Sequence, residues 1–184
     1  MSEEVQDTSI YAKFSQQIND GFLKFNDAMP AILIGHLYIE AEIEKQIKIK
    51  LEHSEMLDLS RMTFSDKLSL LVALGVLPKE SLTPYDLIDT YRRKFVHSPE
   101  CLLTEDAIGK LKRSMNKSQR QFYRKIVDKE SKIGDKFRTC VTLLFVDLCI
   151  NGEILRLRRK GENLQQEFVQ LQELYAQRAQ FSAD

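Results

Sequence analysis

Apolar residues Ile10, Phe14, Ile18, Phe22 and Phe25 recur at spacings of four and three, which predicts an amphipathic helix that is broken between Asn26 and Pro30. The following stretch, "AILIGHLYIEAEIEKQIKIKLEH", sets Ile32, Leu33, Leu37, Ile43, Ile47 and Leu51 at helical spacing against a charged opposite side, a second and longer helix. Thr63 with Asp66 three positions on forms a capping pair. Leu68, Leu71 and Val72 then give a short core stripe, and Gly75 is the stop. Thr83, Pro84 and Asp86 open a fourth helix, because proline suits the first helical position and an acid suits the positive end of the dipole. That helix carries Leu87, Ile88, Tyr91 and Phe95 inward, and Pro99 ends it near His97 by disfavouring helical geometry at Ser98.

Thr104, Glu105 and Asp106 open a further short helix, and the polar, basic stretch from Lys110 to Arg138 reads in its first half as a loop or frayed helix. Phe137, Val141, Leu144, Phe145, Leu148 and Leu155 mark a long helix ending around "RLRRKG". Leu164, Phe168, Leu171 and Tyr175 alternate by four and three in a separate amphipathic helix, about 161–181, that packs on its own bundle, with dimerisation through this seam as the alternative. With no strand-rich region, Gly-rich phosphate loop or internal repeat, the pattern predicts an all-α fold. It is an antiparallel helical bundle with a C-terminal helical extension, a single domain over 1–184 with its core at about 9–160.

Composition narrows the function classes. Hydrophobic residues are 43% and charged residues 29%, a globular balance. Lys+Arg 27 equals Asp+Glu 27, so any basic surface is local. The polar start "MSEEVQDTSI" lacks the basic and apolar regions of a secretory signal, and no apolar run reaches the roughly 20 residues of a membrane span. Cys101, Cys140 and Cys149 are odd in number and lack metal-type spacing. The expectation is a reduced, cytoplasmic protein with no membrane association.

The chemistry concentrates in "YRRKFVHSPE". Histidine near neutral pH can take a proton from a ribose 2′-hydroxyl or give one to a leaving oxygen, and arginine can hold the non-bridging oxygens of a phosphodiester. Arg92 and His97 are five positions apart, roughly 140° around an ideal helix, whereas Arg93 and His97 share a face. The Arg92 and His97 pair therefore needs a distorted last turn or two copies facing across a two-fold axis. The helix dipole alone also favours basic residues at this position.

The segments "AILIGHLYIEAEIEKQI", "FSDKLSLLVALGVLP" and "LIDTYRRKFVHS", from about Met29 to Glu100, resemble the HEPN superfamily, whose signature is Arg, four to six residues, then His near a helix end. They are similar in particular to its bacterial branch akin to MltR-type proteins. The resemblance implies a two-fold homodimer with both motifs lining one cleft. In many members this is a metal-independent ribonuclease of toxin–antitoxin or antiviral systems, and in others an inactive RNA-binding or regulatory module. On the matching positions Arg92 is the phosphate-binding arginine, His97 the catalytic histidine and Glu40 the acid that orients the site. Arg93 and Asp89 depart from the usual residues, and Pro99 stands where members silenced by a nucleotidyltransferase carry tyrosine.

From Lys110 to Arg138 eleven Lys/Arg face three Asp/Glu, with Phe122 and Tyr123 among them. Lys117, Arg120, Arg124 and Lys125 there, with Arg93 and Lys94 on the motif helix, are the expected RNA-phosphate contacts, and a ring is at hand for base stacking. His36, Glu40 and Glu44 recur by four on one face without a third His or Cys ligand, so they read as surface or interface pairs and not as a metal site. His53 reads as an exposed helix end, and Cys140 and Cys149 as core filler. The expected function is a homodimeric, metal-independent endoribonuclease without cofactor, acting on RNA and restrained by an antitoxin or regulatory partner. The alternative is a non-catalytic nucleic-acid-binding or regulatory module of the same fold.

Overall fold

A computed structural model describes residues 28–98 and 102–181. The predicted helix from Ile10 to Phe25 lies outside the described residues. Among the described residues there are six α-helices and no strand: α1 (Ala28–Lys50), α2 (Phe64–Ala73), α3 (Thr83–His97), α4 (Glu105–Ser114), α5 (Lys117–Ile126) and α6 (Ile133–Phe181). Short 3-10 turns at Ser54–Met56, Leu59–Arg61 and Lys79–Ser81 join the first three.

Local chemistry accounts for the boundaries. Thr63 accepts from the Asp66 backbone N–H while the Asp66 carboxylate accepts from the Thr63 backbone N–H, a reciprocal cap that starts α2. Gly75, at φ 70°, turns the chain out of that helix in a conformation few other residues tolerate. Thr104 caps α4 through the Ala107 N–H. Where a loop or frayed helix was expected, Asn116 and Gln119 form a second reciprocal cap, so the basic stretch contains a regular α5.

The core lies where α1 meets α6. Ile32, Ile39, Ile43 and Ile47 of α1 are buried together with Phe137, Val141, Leu144 and Leu148 of α6. The pairs Tyr38 with Phe145 and Ile49 with Arg159 set these two helices running in the same direction. Tyr85 with Leu144 and Tyr91 with Phe137 set α3 antiparallel to α6. Leu37, expected on the buried stripe, is 64% exposed at the edge of a cavity.

The largest difference from the pattern reading is at the C-terminus. A break was expected near Gly161, but α6 runs unbroken for 49 residues, roughly 73 Å at 1.5 Å per residue. A single glycine costs a helix only about 1 kcal/mol, and the strong helix formers on both sides absorb it.

Candidate functional site

A cavity of about 790 Å³ opens between α1, α2 and α3, lined on its polar side by His36, Glu40, Thr63, Ser65, Asp89, Arg92 and Arg93. Leu33, Leu37, Met62 and Phe64 supply its apolar wall. This volume falls in the range of small-molecule sites.

Asp89 is the hub of its polar side. The carboxylate is buried, accepts from His36 Nε2 at 3.1 Å and from Arg92 Nε at 3.1 Å and Nη2 at 3.0 Å, and forms an ion pair with Arg93, whose Nε lies 3.1 Å away. The two arginines reach it because they follow it by three and four residues, one helical turn. His36 comes from α1, and its ring lies 4.4 Å from that of Phe64. Since an ionised carboxylate only accepts, neutral His36 carries its proton on Nε2 and leaves Nδ1 bare, 3.6 Å from Glu40 Oε2. Burial, followed by the positive charge of Arg92, holds the His36 pKa below the ordinary 6.5 against the opposing pull of Glu40 and Asp89.

A second network backs the first. Lys67 of α2 is buried and donates to Glu40 Oε1 and Glu44 Oε1, both at 2.6 Å. Its burial works to lower the ammonium pKa, but hydrogen bonds and charge from the two carboxylates outweigh it and leave the group above the ordinary lysine value. Glu40 is therefore held by Lys67 and faces His36. Among the described residues no group of three or more His, Cys, Asp or Glu is placed to hold a metal ion.

The expected site residues separate into two sets. Arg92, Arg93 and Glu40 line the cavity, while Lys94 and His97 are exposed on α3 and do not. Because α3 stays regular through His97, with the Ser98 N–H bonded to the Lys94 carbonyl at 2.9 Å, the last turn is not distorted. Arg92 and His97 thus diverge within one chain. On α5, Lys117, Arg124 and Lys125 are exposed, and the Lys125 ammonium sits 5.8 Å over the Phe122 ring. Arg120 turns inward instead, donating to the carbonyls of Arg113 at 3.2 Å and Met115 at 2.6 Å, where it caps the end of α4.

His36, Lys67 and Asp89 were not read from the sequence as members of one site. A signal was present. His36 falls in the buried 32, 39, 43 stripe of α1, and Lys67 interrupts the Phe64, Leu68, Leu71 stripe of α2. Polar residues inside an apolar stripe need partners, and these find them across helices.

No family model matches the chain, and no curated protein and no solved structure matches it. No helix among the described residues is long and apolar enough to cross a membrane.

Proposed function

We propose that the chain is a nucleic-acid-binding helical module that seats an RNA phosphate at the mouth of the α1–α2–α3 cavity. The observation that carries this reading is the tether of two guanidinium groups to one carboxylate, Asp89. Each arginine spends one edge on Asp89. Neither has another hydrogen-bond or ion-pair partner among the described residues, and the Arg93 side chain is 60% exposed. Two guanidiniums share one carboxylate, and Glu40, the other acid of the lining, is held by Lys67. Guanidinium edges held in fixed orientation match the oxygens of a phosphate without a large ordering cost. The exposed Phe122 on α5, with Lys125 over its ring, supports a stacked base as a second point of contact.

A second reading, a metal-independent HEPN-type endoribonuclease of a toxin–antitoxin or antiviral system, is favoured by one feature. His97 is exposed at the end of α3 and makes no side-chain hydrogen bond among the described residues. It is free to serve as acid or base beside an Arg92 from another copy. The regular helix requires that second copy, so this reading holds only for a homodimer. Both are tested with a labelled single-stranded RNA in EDTA. Binding that weakens in the Arg92→Ala, Arg93→Ala protein, with no cleavage, supports the module. Cleavage that is lost in His97→Ala makes it a nuclease. Binding unaffected by the arginine changes removes the phosphate site.

A further inference from the structure

Beyond Arg159, whose guanidinium donates to the Ile49 carbonyl at the end of α1, α6 continues for some 22 residues. On this part and the turn before it, Ile154 is 42% exposed, Leu157 54% and Leu164 57%. Gly161 lies between them, with nothing within 4 Å of the place a Cβ would take. These positions are spaced three, four and three apart, and the chain continues the rhythm at register positions Phe168, Leu171 and Tyr175. Seven positions over three heptads are the length at which such a seam reads as a coiled coil. Arg158, Lys160, Glu162, Gln165 and Gln166 around it are polar and exposed, and among the described residues nothing covers Leu157 or Leu164.

We propose that this seam pairs with the same seam of a second copy as an antiparallel two-stranded coiled coil centred between Glu162 and Asn163. Charge decides the orientation. An antiparallel pair sets each flanking g position against a g position of the other chain. In the register that places Gly161 opposite Leu164, position Lys160 falls opposite position Glu167, and two-fold symmetry makes that pair twice. A parallel pair sets Lys160 against Gln165 and Glu167 against Gln172, and its one opposite-charge match, Glu153 with Arg158, uses a carboxylate already paired with Arg156 of its own chain. The same register opposes small with large, Gly161 with Leu164, which lets the helices approach closely.

A cover supplied by the chain's own N-terminal stripe fits the geometry less well. Residues 1–27 join the fold at Ala28, the opposite end of α1 from Ile49, roughly 30 Å away at 1.5 Å per residue. The pairing surface is distinct from the phosphate mouth, and its test does not depend on RNA.

Sedimentation equilibrium of the full chain between about 1 and 100 µM decides it. The expected mass is a dimer of about 43 kDa, twice the 21.4 kDa of one chain. Leu157→Glu with Leu164→Glu, both exposed in the single chain, are expected to give a folded monomer, with a dissociation constant raised at least about 100-fold and a thermal midpoint that, unlike the wild type's, does not rise with concentration. Lys160→Glu alone is expected to weaken the dimer several-fold, and Lys160→Glu with Glu167→Lys to restore it. The proposal is overturned by a wild-type monomer, or by a dimer or larger assembly that persists in the double-Glu protein. A charge swap that restores nothing also overturns it.

Discussion

His36 and Asp89, 53 positions apart in the chain, meet in a buried contact with Nε2 3.1 Å from Oδ1. Through it a histidine of α1 holds the carboxylate that in turn holds Arg92 and Arg93 on α3. The cavity mouth is thus built by positioning, one helix steadying the charged edge of another.

The burial of His36, followed by the charge of Arg92, makes stability depend on pH. His36 has a folded-state pKa below its unfolded value of 6.5, so the unfolded chain binds the proton more readily. Its contribution is complete above about pH 6.5 and is lost as the pH falls below that value. The urea midpoint is expected to drop between pH 7.5 and 5.5, and His36→Gln, which keeps a donor but cannot titrate, is expected to flatten the drop. Equal slopes in the two proteins would show that His36 does not contribute.

Asp89→Asn tests orientation against bulk charge. The change removes one negative charge from a mouth that binds phosphate, so simple attraction predicts tighter RNA binding. The tether predicts the reverse, a loss of about 1 kcal/mol or roughly fivefold as both guanidiniums lose their anchor. Fluorescence anisotropy with a single-stranded RNA distinguishes the two signs.

Lys67→Met leaves Glu40 and Glu44 without the cation that both contact at 2.6 Å. The carboxylates are partly exposed, at 24% and 29%, so water recovers part of the loss, and a cost of about 2 kcal/mol in chemical unfolding is expected. Adding Glu40→Gln and Glu44→Gln should recover about half of it. A triple variant weaker than Lys67→Met would argue that the ion pairs are not the source of the loss.

Gly152→Ala bears on the α1 and α6 seam. A Cβ there would lie 2.7 Å from Glu42 Oε1 and 2.9 Å from Gln46 Nε2, and both side chains are buried in a network that reaches the Leu148 carbonyl. Alanine improves helix propensity by about 1 kcal/mol, but displacing a buried polar network costs more, so a net loss of about 1 kcal/mol is expected. A raised thermal midpoint would show that Glu42 and Gln46 relax freely.

How much of this was legible follows from the range of each interaction. The caps at Thr63 and Thr104, the stop at Gly75 and the end of α3 at His97 depend on residues within four positions, and the pattern reading located all of them. The all-α class followed from the same periodicity. Gly161 misled because propensity alone does not end a helix. Arg92, Arg93 and Glu40 were singled out for a motif and its phosphate, and the structure places them on one cavity wall with partners that the sequence did not show. Asp89 was noticed only as a departure from a motif, and its role depends on a histidine that packing brings from another helix. Lys67 is legible only once α2 is known to lie across α1.

The measurement that bears most directly on the phosphate mouth is the salt dependence of RNA binding by the wild-type and Arg92→Ala, Arg93→Ala proteins, in EDTA. The tethered pair predicts that the double variant binds at least about tenfold more weakly. It also predicts that the slope of log K against log salt falls by about 1.4, the value for two single-strand phosphates that are no longer neutralised. An unchanged affinity and slope would contradict the account, because the two guanidiniums held by Asp89 would then bind no phosphate.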